Sequence, residues 1–439
     1  MKLRISNFAS IKKTEIEIDG ITVIAGYNNT GKSTIGKILF SLFNSLNNIE
    51  DKVEKQRSSE IHKICMQSIR NYISHTPNVE KDMNLSNIRR LSNNLALDLS
   101  DAILNLIDEN LTKDKISKII FEIFKKNDIA IRKNNFIELI EVISDKVISI
   151  ANLSNSLIMR EIISRYFDKV FDGQINCLNK EQSEAKLELI IKNKKIVTLF
   201  KNNTCIDYEP TYNILHEAFY IDDPFVIDNL SQFTLYDDVS SVKNFILSKL
   251  SSNNNIMDGL FDAVIAKEKL EDIYKILNKV IDGNIVVESG TFGLDTKNFS
   301  EPIKLTNLST GLKSFIIIKM LLENGTLKDK DVLILDEPEI HLHPEWQLIY
   351  AEIIVLLQKA FDLSIVVTTH SSNFLESIDY FSKKYSINTK CNYYLATSVD
   401  GTSIFNNVTE NLDKIYAQMI QPSVLLDKLK YEMENVEYE

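Results

Sequence analysis

Gly26-Tyr27-Asn28-Asn29-Thr30-Gly31-Lys32-Ser33 decides how the chain is read. The stretch fits GxxxxGK[ST] and stands between the apolar run Ile21–Ala25 and a helical pattern over Ile35–Phe43. A strand before and a helix after are the setting in which such a loop turns its backbone N–H groups inward and cradles phosphate at a helix N-terminus. Lys32 would neutralise β and γ oxygens, and Ser33 would offer its hydroxyl to Mg²⁺. Tyr27, Asn28, Asn29, Thr30 and Thr34 complete the loop around a nucleotide. A glycine turn that merely ended a strand would need neither the lysine nor the hydroxyl.

Three stretches downstream fit the same chemistry. Val332-Leu333-Ile334-Leu335-Asp336-Glu337 is a buried-strand run ending in two carboxylates. Asp336 can reach Mg²⁺, and Glu337 can polarise an attacking water. Before it, Ser309-Thr310-Gly311-Leu312-Lys313 opens an apolar helix over Phe315–Leu322. Ser-x-Gly at a helix start makes a second anion-binding N-terminus, and Ser309 also suits an ordinary cap. After it, Ile365-Val366-Val367-Thr368-Thr369-His370 is another buried strand, and His370 stands where a γ-phosphate sensor belongs in this order of motifs.

Composition agrees with a soluble globular protein. The 439 residues carry 50 Lys+Arg against 61 Asp+Glu, a net charge of −11, with 44% hydrophobic residues. The acidic balance argues against indiscriminate nucleic-acid binding, which comes from neutralising phosphates. No run is long and apolar enough to span a bilayer. Cys65, Cys177, Cys205 and Cys391 are scattered without a CxxC pair, as expected of reduced cytoplasmic thiols. The lone His341-x-His343 pair lacks the further ligands a metal site needs.

Glycine divides the chain. There are only 12, and Gly20, Gly26, Gly31 and Gly36 crowd into the first forty residues. From Gly36 to Gly173 the text turns helical: Ile116, Ile119, Ile120, Ile123 and Phe124 form one apolar stripe. Leu99, Ile103, Leu106 and Ile107, and Phe136, Ile140, Ile143 and Val147, repeat it. Strand-like text brackets this region, with a turn expected at Lys192–Lys195. The expected organisation is a nucleotide-binding head from 1–41 and 185–235, a helical insertion over 42–184, and a second helical segment over 236–283. The lobe with the Ser-x-Gly and Asp-Glu motifs spans 284–405, and a helical tail spans 406–439. Pro422 suits a first helical turn, and the tail's Leu425, Leu426 and Leu429 need cover from the insertion or from another protein.

The order of P-loop, Ser-x-Gly-x-Lys, Asp336-Glu337-Pro338-Glu339 and strand-His resembles the ABC-type ATPase heads of the RecF, SMC and OLD group. Ile340-His341-Leu342-His343-Pro344, and the opening Leu3…Asn7-Phe8…Ile11, resemble in particular the compact ATPases of bacterial anti-phage defence systems such as PARIS and Septu. The resemblance covers about 1–40 and 285–375, and 186–235 loosely. It implies an α/β ABC-type P-loop head, with a mixed, mainly parallel sheet and N-terminal antiparallel strands, using ATP and Mg²⁺. Glu337 and His370 would be catalytic, and Ser33 and Asp336 would hold the metal. Ser309, Thr310, Gly311 and Lys313 would act in trans. Departures are Leu312 inside the signature, Ala9 where relatives carry an Arg, His343 where transporter heads have an Asp, and no Q-loop glutamine. Asp222 or Asp223 is the candidate replacement near the metal.

One P-loop and one signature per chain imply a head-to-tail homodimer around two ATPs, or a higher homo-oligomer. A hairpin arm made from the insertion would reach only about 100 Å, too little for a long-armed SMC machine. Nothing after His370 offers the acidic cluster of an OLD-type nuclease. The leading expectation is therefore a cytoplasmic ATPase that controls a separately encoded effector, a nuclease or toxin, in phage defence, without a membrane partner. The alternatives are a RecF-like repair ATPase that binds DNA and an ATP-locked scaffold with negligible turnover.

Overall fold

The computed structural model describes residues 1–74, 85–106, 111–127, 129, 131, 133–177, 184–209, 212–234, 238–252, 260–288 and 290–436. Met1–Asn47 and Arg160–Glu439 form one compact unit, and Asn48–Met159 form another.

In the first unit, β1 (Lys2–Phe8) and β2 (Ile11–Glu17) pair as a hairpin, and β3 (Ile21–Gly26) leaves it for a second sheet. After the helices, β4 (Ala185–Ile191), β5 (Lys194–Lys201) and β6 (Thr204–Glu209) complete an antiparallel sheet of order β2-β1-β4-β5-β6. The turns that join β4 to β5 and β5 to β6 are Lys192-Asn193 and Asn202-Asn203, with φ of 47°, 64°, 51° and 63°. Two-residue turns with both φ positive match strand twist, and asparagine tolerates them best. The first turn is therefore two residues shorter than the expected Lys192–Lys195.

The second sheet joins β3 to β7 (Ala218–Ile221), β11 (Val332–Asp336), β12 (Ser364–Thr369), β13 (Cys391–Val399) and β14 (Thr402–Asn407). Its order is β14-β13-β3-β12-β11-β7, and all neighbours are parallel except β13 and β14. Every residue of β3 is buried, as in parallel sheets covered on both faces, where strands read as unbroken apolar runs. A small antiparallel sheet of β8 (Asn284–Glu288), β9 (Thr291–Asp295) and β10 (Ile303–Lys304) lies apart from these in sequence. The expected class, a mixed α/β head with N-terminal antiparallel strands, is what the topology shows.

Helix α1 (Lys32–Leu46) follows the P-loop. The second unit holds α2 (Ile49–Ser74), α3 (Leu85–Leu104), α4 (Lys113–Lys126) and α5 (Lys133–Ala151). Its core draws on Ile61, Cys65, Leu99, Ile116, Ile120, Phe124, Ile143 and Val147, so the periodic stripes are the buried faces. Ile107 lies outside the described residues. Helix α6 (Asn155–Phe171) crosses into the first unit, where Phe167 and Phe171 meet Phe8 at centroid distances of 5.9 and 5.0 Å. The compact helical unit is accordingly narrower than the expected 42–184. Leu42–Leu46 continue α1, and these rings belong to the core beneath β1.

The remaining helices are α7 (Val242–Ser251), α8 (Leu260–Val280), α9 (Thr310–Glu323), α10 (Pro344–Phe361), α11 (Ser372–Lys384) and α12 (Asp413–Val436). Pro422 does not start the tail helix; it sits inside α12. Leu425, Leu426 and Leu429 are exposed, so none of the described residues covers these tail leucines.

Candidate nucleotide site

The loop between β3 and α1 lies at the carboxyl end of the parallel sheet, where α/β folds bind ligands. Gly31 caps α1 at φ 80° and ψ 15°, and a Cβ there would come 2.7 Å from Ser403 Oγ. Only glycine combines that backbone with that approach. Helix α1 has no side-chain cap and no acidic residue in its first turn, so its leading N–H groups face outward for an anion. Thr30 Oγ1 donates to Tyr27 O at 2.8 Å and braces the loop.

Lys32 is 4% exposed, and its ammonium donates to Gly26 O at 3.1 Å and Tyr27 O at 2.9 Å. The same nitrogen lies 3.0 Å from His370 Nε2 and 3.5 Å from Glu337 Oε1, and Glu337 in turn touches His370. Burial pulls the Lys32 pKa below the usual lysine range, while Glu337, Asp336 and Glu339 pull it back. The structure thus brings Lys32, Glu337 and His370, far apart in sequence, to one point.

Asp336 is gripped by hydroxyls. Ser33 Oγ donates at 3.1 Å, Tyr220 Oη at 2.5 Å, and Thr368 Oγ1 also donates. Burial, and then the Asp336 charge, push the Tyr220 phenol well above its ordinary value, so it stays a donor. Glu337 adopts φ 52° and ψ 49°, strained for a non-glycine residue. Its N–H is fixed by Thr368 through O at 3.1 Å and Oγ1 at 3.0 Å. Glu339 is buried, and its Oε1 accepts Thr369 Oγ1 at 2.5 Å and the His370 N–H at 2.8 Å. Burial raises its pKa. Glu339 therefore ties the turn after β11 to the end of β12 and sets where the His370 ring stands.

Ser33 and Asp336 are hard oxygen donors of the kind Mg²⁺ takes, and they are the pair that would hold it. A bound Mg²⁺ would neutralise charge developing on phosphate oxygens.

The AAA ATPase domain family model matches residues 1–375 of the chain. The chain belongs to this family. Among solved structures, this AAA ATPase domain is similar to the SMC head domain from Thermotoga maritima. The two share 12% identity and a TM-score of 0.37, over 93% of this chain and 98% of that one. An Smc head domain with an extended coiled coil, bound to the C-terminal domain of ScpA and derived from Pyrococcus furiosus, gives 12% identity. Its TM-score is 0.33, over 95% of this chain and 98% of that one.

In this AAA ATPase domain the Ser-x-Gly segment and the P-loop have different neighbours. A Cβ on Gly311 would come 3.0 Å from His341 O and 3.2 Å from the Trp346 ring, whereas the atoms around Gly31 belong to Ser403 and Ser10. Ser309 is exposed at the N-cap of α9 without a side-chain cap bond, and Thr310 follows it at the first position of the helix. Lys313 behaves differently from what its place in the motif implies. It is 1% exposed, its ammonium lies 2.6 and 2.8 Å from the Asp228 carboxylate, and it sits 4.8 Å above the Phe225 ring. That group is committed within its own chain, one helical turn inward from the exposed end.

Asp223 caps the 3-10 turn Pro224–Gln232 by accepting from Phe225 N at 2.8 Å, the ordinary role for a residue before proline. Asp222 stands nearer the chemistry, its pKa raised by desolvation and then by Asp336. Sequence reading missed Tyr220, Thr368 and Glu339 as members of the site. Thr368 and Glu339 sat inside quoted motifs without a role. Tyr220 had no signal beyond lying on an apolar run before Asp222-Asp223.

Proposed function

We propose that the chain binds and hydrolyses Mg-ATP, in paired heads, and uses the cycle to control a separate protein in the cytosol. The convergence of Lys32, Glu337 and His370 carries this reading. A phosphate-seeking cation, a carboxylate able to orient water and an imidazole for the γ-phosphate need no covalent intermediate; positioning and charge stabilisation accelerate phosphoryl transfer. Glu337 would take the proton of the attacking water, and His370 would hold the departing γ-phosphate oxygens. Lys32 would leave Tyr27 O and Glu337 for the β and γ oxygens.

Pairing is supported by the exposure of Ser309 at the start of α9 and by the different neighbours of Gly311 and Gly31. That helix start would meet a nucleotide that a second chain brings. A protein effector is supported over DNA by the state of the lysines. Lys195, Lys383, Lys384 and Lys390 lie 2.9, 2.6, 2.7 and 2.9 Å from carboxylate oxygens, so they are poor seeds for a phosphate-tracking groove. The role in phage defence rests on the resemblance carried by Ile340–Pro344.

Mixing tests the pairing. Lys32→Ala chains lack a P-loop cation, and Ser309→Arg chains present bulk and charge to a partner's nucleotide. Each alone should be inactive. Their mixture should recover about a quarter of wild-type turnover: half of the chains pair as heterodimers, and each heterodimer has one intact composite site of two. A mixture as inactive as either parent would overturn the trans geometry.

A further inference from the structure

Tyr27, inside the phosphate loop, reaches out of it. Its hydroxyl lies 2.8 Å from Gln418 O and 3.0 Å from Gln421 Oε1, both on α12 just before Pro422. An α-helix pairs the carbonyl of residue i−4 with the N–H of residue i, so the helical partner of Gln418 O would be the N–H of residue 422. Proline has none, and its ring crowds that same carbonyl. The loop tyrosine supplies the donor that the proline lacks. Ile415, two turns from Pro422, is fully buried, whereas residues 421–432 are all exposed. Among the described residues, the tyrosine contact is thus the last hold of the head on this helix.

Tyr27 is bound at both ends. Its carbonyl accepts from the Lys32 ammonium at 2.9 Å, while its hydroxyl serves Gln418. Phosphate oxygens compete for that ammonium, so filling the loop takes one of the two donors, Lys32 and Thr30, from the carbonyl of the residue whose other end pins α12. We propose that Tyr27 is a latch linking occupancy of the phosphate loop to the order of α12 around and beyond Pro422, a claim that rests on the nucleotide reading of the loop. Linkage of this kind is reciprocal: whatever holds α12 also shifts nucleotide affinity.

Amide hydrogen exchange over 413–432 of the full chain tests it. Without nucleotide, Tyr27→Phe should speed exchange there about fivefold, the effect of one lost neutral hydrogen bond. Pro422→Ala restores the missing N–H, so Tyr27→Phe should then have no effect. Additive substitutions, or a silent Tyr27→Phe in the parent chain, would overturn the latch whatever the loop binds. In a Glu337→Gln background, Mg-ATP should change exchange over 413–432, and added Tyr27→Phe should remove that response. Bound ATP with unchanged exchange overturns the linkage alone; no ATP binding overturns the nucleotide reading and the linkage with it.

Discussion

Strand β11 carries a carboxylate at each end, and the two are held in different ways. Asp331, just before the strand, is 2% exposed and accepts backbone N–H groups from Glu217 at 3.0 Å and Lys328 at 2.8 Å. Burial pushes its pKa up to about 6. Asp336, at the other end, is held by side-chain hydroxyls from Ser33, Tyr220 and Thr368 on three separate elements. Backbone donors fix a corner and cannot turn away. Hydroxyls rotate, so the carboxylate can take a cation on one side and keep hydroxyl contacts on the other without unfolding anything. The entry end of the sheet is built for rigidity and the exit end for exchange, which is why chemistry gathers at the latter.

The contrast can be broken most easily at the exit end. Lys32→Ala should weaken Mg-ATP binding about 100-fold, as expected for a lost charge-assisted contact, and should leave the melting temperature nearly unchanged. Titration calorimetry beside thermal unfolding separates the two effects. Equal losses in both would make Lys32 a structural residue.

Asp331→Asn probes the entry end. Its folded pKa of about 6 lies above the ordinary aspartate value of 3.8, so between those values the folded state holds a proton that the unfolded chain does not. The group's stabilising contribution is complete below about pH 4 and is lost as pH rises through 6, a fall of about 3 kcal/mol. Urea unfolding from pH 4 to 7.5 should show that slope in the wild type and a flatter curve in Asp331→Asn, with nucleotide binding by folded protein unaltered. Parallel curves would show that the carboxylate keeps its ordinary pKa.

Tyr220→Phe is the mildest of the three. Asp336 keeps two other hydroxyls, so the magnesium concentration needed for half-maximal nucleotide binding should rise about fivefold, the effect of one hydrogen bond. A fall instead would mean that the phenol competes with the metal.

The same division separates what the sequence reveals from what it hides. The P-loop, the Asp336-Glu337 pair and His370 were legible because each needs a short, contiguous spacing on a strand end. Tyr220 and Thr368 reach Asp336 only through the parallel register, in which Asp336 stands opposite Thr368 and Ile334 opposite Tyr220; pairing of that range leaves no local pattern. Lys313 was read as a residue acting in trans because its partner, Asp228, is remote in sequence. Pro422 looked like a helix start because the tyrosine that completes Gln418 lies almost 400 residues away.

The most direct test of an exit end built for phosphoryl transfer is Glu337→Gln, with phosphate release and Mg-ATP binding measured on the same samples. Turnover should fall by about 10²–10⁴-fold with affinity held within about threefold, since the amide cannot take the proton of the attacking water yet leaves Ser33 and Asp336 in place. Turnover at the wild-type rate, or loss of binding along with turnover, would contradict the account.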